Sequence, residues 1–296
     1  MQFGFVVALL CKHYATTNTL MYNNIASRRL VIKTYSDFDN FFLEFILPFV
    51  ENASSHQLLK GWYFEKKNMG NVELNFKGDG SVIDNILIPE LNQLHRDLWL
   101  YPLNNLNIQY QVFKPIEVLE IEVNNLVSEK LLNRLEGDFL EELFFQTSKS
   151  MGGWLRTYLH HNIVERTSGV MLYYLGLIYY LERNNERRDI LIKKELQNTE
   201  EHSTVQEHYY NALVIFGKRL VKILKTDEPF VQEFYELWLN SLNNELSSKY
   251  NNGKSFSVGD KTNICKAFKK YLLNIFDLEN TIFADIIDKI ALASFC

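Results

Sequence analysis

Strand-like patterning ends early in this chain of 296 residues. Up to about residue 116, short β-branched or alternating runs take turns with helical ones. From Glu117 onward strand patterning nearly vanishes and helical spacing takes over. That division points to an α+β architecture, in which a mixed first part is followed by a mostly helical half.

Within the first part, residues 29–35 form a β-branched run of strand length. Ser36-Asp37 offers a helix N-cap, and Phe38, Phe41, Phe42, Phe45, Ile46 and Phe49 follow at helical spacing, with Pro48 near the expected helix end. Two further runs, 61–64 and 71–76, flank the turn formers Lys67-Asn68-Met69-Gly70 and predict a hairpin. A break at 78–81 caps a helix expected to reach about Leu98, and a strand over 108–113 stops at Pro115. Strand, helix, strand, strand, helix, strand is the split βαβ order of a ferredoxin-like unit. The second half predicts helices over 125–150, 151–183, 186–225, 228–249 and 261–293, with loops at 197–203 and 251–260. Leu172, Leu175, Ile178 and Tyr179 mark one buried helix face. The expected organisation is an N-terminal extension (1–27), a ferredoxin-like part (28–116) and a helical part (117–296).

Composition narrows the function classes. With 31 Lys and Arg against 36 Asp and Glu, the chain carries a net charge of −5, so no nucleic-acid partner is expected. Cys11, Cys265 and Cys296 share no CxxC spacing, which argues against a disulfide scaffold or a zinc ribbon. The apolar start at 3–10 is far short of the roughly 20 residues that cross a bilayer, and no Lys or Arg precedes it as in a secretory signal. A cytoplasmic protein without a membrane partner is expected. Phosphate-binding glycine motifs, HExxH and GxSxG are absent, and neither a metal nor an organic cofactor is expected. Neighbours on a helix such as His160-His161 diverge by about 100° and cannot jointly hold a metal, so a helix end explains them better. Tyr173-Tyr174 and Tyr179-Tyr180 either line a pocket or belong to the core. Glu117, Glu120 and Glu122 fit solvated charges at a strand exit, and Arg187-Arg188 with Lys193-Lys194 fits a solvated helix face.

A more specific likeness lies in the order of segments. "Tyr35-Ser36-Asp37-Phe38-Asp39-Asn40-Phe41-Phe42-Leu43-Glu44-Phe45-Ile46-Leu47-Pro48" precedes an aromatic strand, "Gly61-Trp62-Tyr63-Phe64", and a partner ending "Leu74-Asn75-Phe76-Lys77-Gly78". With the later "Glu141-Glu142-Leu143-Phe144-Phe145-Gln146-Thr147-Ser148", this resembles the thiopeptide-type bacteriocin biosynthesis family, related to the C-terminal elimination domain of lantibiotic dehydratases. The resemblance spans roughly residues 28–290. Elimination domains carry Arg-Tyr on the aromatic strand and His-Leu-Arg on its partner, where this chain has Glu65-Lys66 and Val72-Glu73-Leu74. Their last helix bears His-Met and Asn-Arg, whereas this chain ends Ile290-Ala291-Leu292-Ala293-Ser294-Phe295-Cys296. Glutamate elimination is therefore disfavoured, because the leaving carboxylate would meet no cation.

The branch of the family without that apparatus is the pyridine synthases. The resemblance implies a cofactor-independent macrocyclase that joins two dehydroalanines by a formal aza-[4+2] cycloaddition, with loss of water and of the leader peptide. It implies as partner a modified precursor peptide with its leader, and dehydratase and azole-forming enzymes acting on the same peptide. Trp, Ser and Tyr side chains of the helical half would serve the chemistry; by type and position these are Trp238, Tyr250, Ser255 and Tyr271, with Tyr173 and Tyr180 behind them. Each also has an ordinary core or loop explanation. The leader would dock on the first part near Trp62, Phe64, Lys66 and Lys67, by strand addition. A non-catalytic leader-binding partner of a dehydratase is the second reading, and a glutamate-elimination domain the third.

Overall fold

A computed structural model of the chain describes residues 25–33, 42–67, 71–93, 117–122, 134–157, 161–182, 207–226, 228, 233–250, 256–279 and 281–295. The chain divides into two compact units, 1–125 and 126–296.

The first unit holds β1 (Ile25–Lys33), α1 (Leu47–Ser55, entered through a π turn at Phe42–Ile46), β2 (Leu59–Lys67), β3 (Asn71–Asp79), α2 (80–93) and β4 (Glu117–Glu122). The four strands lie in the order β2-β3-β1-β4, and every neighbouring pair is antiparallel. This is the ferredoxin-like order expected from the segment pattern. Leu30 pairs with Leu74, Leu74 with Phe64, and Phe76 with Trp62, so apolar side chains cross the sheet in rows on one face. Phe42, in the turn ahead of α1, brings its ring to 4.2 Å from that of Phe64. Leu47, Phe49, Val50 and Ala53 of α1 are buried. At the other helix, Arg28 of β1 holds Asp84 of α2 with two bonds of 2.9 and 2.8 Å. Asp79 caps α2, accepting from the Ser81 and Val82 amides.

Several boundaries differ from expectation. β1 begins at Ile25, and the helix expected to end near Pro48 continues to Ser55. Pro48 occupies the first α-helical turn, where its missing N–H is least costly. The strand expected at 108–113 lies outside the described residues, as do 34–41 and the hairpin turn at 68–70. Glu117, Glu120 and Glu122 lie in a strand that pairs with β1, rather than beyond a strand's end.

The second unit contains α3 (Arg134–Thr157), α4 (Ile163–Glu182), α5 (Glu207–Thr226), α6 (233–250), α7 (Val258–Ile275) and α8 (Ile282–Phe295). α4 is the central helix: Val170 to Ile178 are buried on all sides, and it packs on α5, α7 and α8. Gly176 permits this crowding, because a Cβ there would stand 2.5 Å from the Tyr235 Oη and 2.7 Å from Trp238.

The helix expected over 151–183 is two helices. α3 runs on to Thr157, and a new start is fixed by Asn162, whose Oδ1 accepts from the Val164 and Glu165 amides while Glu165 accepts from the Asn162 amide. His161 lies just ahead of that cap; His160 is outside the described residues. The helix expected over 261–293 is likewise divided. Ser257 and Asp260 form a reciprocal cap that starts α7 at Val258, and α7 stops at Ile275. The stop is a left-handed Asp277 (φ 53°) followed by a Leu278 N–H that donates back to Leu273 O at 2.8 Å. α1 ends the same way, with Gln57 (φ 59°) and Leu58 N–H donating to Ala53 O at 2.9 Å. Neither stop uses glycine, so neither announces itself in the sequence.

Candidate functional site

Three hydroxyl residues on one stretch of α3, Thr147, Ser148 and Ser150, are buried. Hydroxyl side chains are indifferent helix formers and costly to bury unpaired, so their partners decide what they do. Thr147 Oγ1 donates to Leu143 O at 2.7 Å and accepts from Trp238 Nε1 at 3.0 Å. Ser148 Oγ shares a 2.8 Å bond with the Tyr271 hydroxyl. Ser150 Oγ donates its one proton to Thr147 O at 2.8 Å, so the Tyr173 hydroxyl, 3.2 Å away, must be the donor in their bond. α3 thus collects an indole from α6, a phenol from α7 and a phenol from α4.

The rings pack around one another. Tyr173 meets Trp238 edge-on at 5.0 Å, Tyr235 stacks on Trp238 at 5.6 Å, and Tyr271 stacks on Phe144 at 4.1 Å. Burial pushes the Tyr173 phenol well above its ordinary range, and the bond to Ser150 only partly offsets this. Tyr235 is pushed up likewise by burial, with the neighbouring Tyr173 adding to it. The Tyr173 phenol keeps its proton at neutral pH and acts as a donor, not a base.

In front of this network a cleft of about 240 Å³ opens between α3 and α6. Gln146, Lys149 and Ser150 supply the α3 wall, and Leu237, Trp238, Asn240, Ser241, Asn244 and Glu245 the α6 wall. A π turn at Leu242–Leu246 interrupts α6 here; the extra residue per turn re-aims side chains, and such turns recur at functional sites. Gln146 Nε2 spans the cleft base, donating to Glu245 and to Glu142 at 3.0 Å each, and Glu142 also takes Lys249 at 3.1 Å. Ser150 and Trp238 belong to both cleft and network, which puts the Tyr173 phenol one hydroxyl behind the opening.

The structure therefore gathers Trp238, Tyr173 and Tyr271 around the α3 hydroxyls, and only Trp238 of these lines the cleft. Tyr250 stands apart, edge-on to Phe139 at 5.0 Å; burial raises its phenol pKa, aided by Asp138, Glu142 and Glu141. Tyr180 bonds Ser247 Oγ at 3.1 Å, and Ser247 donates to Leu242 O, so Tyr180 braces the π turn. Ser255 lies outside the described residues. Trp62 and Phe64 are buried, with Phe64 against Phe42, so it is the β2 backbone that remains to meet a ligand. Lys66 is half-buried in β2, the strand that ends at Lys67. Thr147, Ser150, Ser241 and the carboxamides of Gln146, Asn240 and Asn244 were not among the expected site residues. The hydroxyl run 147–150 in mid-helix was the available signal.

Among the described residues, no group of three His, Cys, Asp or Glu side chains could hold a metal ion, and no helix is long and apolar enough to cross a membrane. No family model matches the sequence, and no curated protein matches it. Among solved structures, the tRNA-dependent lantibiotic dehydratase MibB from Microbispora sp. 107891 superposes over 91% of this chain with a TM-score of 0.57 at 11% identity. The chain shares its fold with part of a lantibiotic dehydratase. It spans 28% of that enzyme's length. TsrL (TM-score 0.48, 13% identity, covering 92% of this chain and 94% of that one) is also similar. So is the pyridine synthase TbtD from thiomuracin biosynthesis (0.32, 10% identity, 86% and 99%). The fold shared with MibB matches the likeness to a lantibiotic dehydratase that the segment order carries.

Proposed function

We propose that this protein acts on a ribosomally made, modified precursor peptide in the cytoplasm, as a cofactor-independent macrocyclase of the pyridine synthase type. The observation that carries the reading is the cleft bounded by Ser150 and Trp238 with a proton-holding phenol, Tyr173, directly behind Ser150. In the cyclisation, two carbon–carbon bonds form between a dehydroalanine in its azadiene tautomer and a second dehydroalanine. The former amide oxygen then leaves as water, and the leader leaves as its amide. Folding the peptide so that the two alkenes meet supplies much of the rate through proximity. Asn240 and Asn244 can each both donate to and accept from backbone amides, and Gln146, its N–H groups taken by Glu142 and Glu245, can accept through its Oε1, so they suit holding a neutral peptide stretch. Ser150, held by the Tyr173 phenol, would turn its O–H from Thr147 O to hydrogen-bond the departing hydroxyl, the proton that completes the water coming from the ring as it aromatises, and Tyr180 would hold the π turn in place. Tyr250, Tyr271 and Ser255 take supporting places in this reading, and the leader adds to the β2 edge beside Lys66 and Lys67.

The second reading, a leader-binding partner without chemistry, is favoured by the depth of Tyr173 and Tyr271, which are 0% and 4% exposed. Glutamate elimination finds less support: Glu73 stands 3.6 Å from Arg29, so the nearby guanidinium already faces a carboxylate.

The test is mass spectrometry of a dehydrated, azole-bearing precursor peptide incubated with the purified protein. Release of the leader together with a water-depleted core, slowed by Ser150→Ala, is the expected result. Tight binding of an unchanged peptide would replace the cyclase reading with the partner reading, and neither binding nor turnover would overturn both.

A further inference from the structure

α5 carries its charge on one side. Lys218, Arg219, Lys222 and Lys225 are all exposed. At 3.6 residues per turn, Lys218, Lys222 and Lys225 fall on one line with Ile215, and Arg219 stands beside them. Ile215, 59% exposed, adjoins the head of this row, whereas Tyr209 projects about 120° away around the helix. The opposite side is committed to the core: Leu213, Gly217, Leu220, Val221 and Leu224 are buried, and Ser294 of α8 fills the space beside Gly217.

Ordinary explanations cover only part of this. The helix dipole favours cations in the last turn, which accounts for Lys225 and Lys222, but Lys218 and Arg219 lie further back. None of the four makes an ion pair or side-chain hydrogen bond among the described residues. The helix's one acid, Glu207, is at the far end. Like charges at these spacings repel one another, and general basicity is no cause, because the whole chain carries a net charge of −5.

We propose that this face of α5 is a docking surface for an acidic peptide segment, with an apolar residue on Ile215 and carboxylates along Lys218, Lys222 and Lys225. From Ile215 to Lys225 the face is about 15 Å long at the α-helical rise. Charge complementarity selects the occupant. A nucleic acid would want a broader basic footprint, on a chain that does not repel it overall. The inference is independent of the cyclase reading, since it concerns binding by a surface on which none of the cleft residues lies.

Fluorescence anisotropy on the full chain at low ionic strength tests it, using a labelled peptide of a leucine block followed by a glutamate block. Saturable binding that weakens with salt is expected. The triple variant Lys218→Glu, Lys222→Glu, Lys225→Glu should weaken it by about tenfold or more, while Lys60→Glu, an exposed charge on β2, leaves it unchanged. Circular dichroism of each variant confirms that the helices are retained. Equal binding of an all-glutamate peptide, tighter binding of a single-stranded RNA of the same charge, or no binding by the unmodified chain would each overturn the proposal.

Discussion

Two buried polar sites, one in each unit, are held in opposite ways. In the sheet unit, Asn75 of β3 is 1% exposed and neither atom of its carboxamide has a hydrogen bond among the described residues; Arg29 Nε, in register with it on β1, is also buried and unmatched. In the helical unit, Thr147, Ser148 and Ser150 are as deeply buried, yet each is bonded, and through them three helices are tied to α3. A buried polar group stabilises when partnered and costs roughly 1–3 kcal/mol when not. The same kind of substitution, polar to apolar, should therefore have opposite signs at the two sites.

The largest effect is expected at the centre of the network. Thr147→Val keeps the side-chain shape but removes the acceptor of Trp238 Nε1, leaving an indole N–H buried in a ring cluster. Unfolding in urea should show a loss of about 1–3 kcal/mol. A loss within error would mean that Trp238 finds another acceptor and that the network is packing rather than hydrogen bonding.

A smaller loss is expected for Tyr173→Phe, about 1 kcal/mol at neutral pH, from the missing bond to Ser150. Its pH dependence is the sharper readout. Burial raises the Tyr173 pKa in the folded state, so the folded protein keeps a proton that the unfolded chain releases from about pH 10 upward. Stability from this group is full below that point and falls as the pH rises past it. The phenylalanine variant should lose less stability than the parent between neutral and strongly alkaline pH. Parallel stability curves for the two would place the Tyr173 phenol in contact with water.

How much of this the sequence disclosed follows from the range of the interactions. The first three strands were legible because alternation, turn residues and hairpin spacing are local, and Val72, Leu74 and Phe76 fall on the face that their alternation assigns; β4 was not, since 117–122 reads as the start of the helical half. The helix stops at Gln57 and Asp277 were not, because left-handed caps without glycine leave no local mark. Trp238, Tyr173 and Tyr271 could be singled out by type, but their common meeting place could not. Thr147 lies 91 residues from Trp238, and Ser148 lies 123 from Tyr271, so no pattern within one helix links them. Tyr180 and Tyr250, equal to Tyr173 by type, end up at the π turn and against Phe139, where only tertiary packing could send them.

The smallest effect, and the one most able to break the contrast, is at Asn75. It sits between Tyr63 and Arg29 across three strands, so a replacement there must fit a pleated, enclosed position. Leucine branches at the same carbon, though its methyl groups take more room, has a better strand propensity, and brings no polar atom to desolvate. Asn75→Leu should raise stability by up to about 1 kcal/mol in the same urea experiment. A rise would establish that the sheet unit tolerates an unmatched amide that its fold does not require, which is how a chain retains a group for some purpose other than folding. A fall of similar size would show that an ordered water or another group satisfies the carboxamide. The Asn75 and Thr147 sites would then obey one rule, a deeply buried polar side chain being kept because it is partnered, and the contrast between them would lapse.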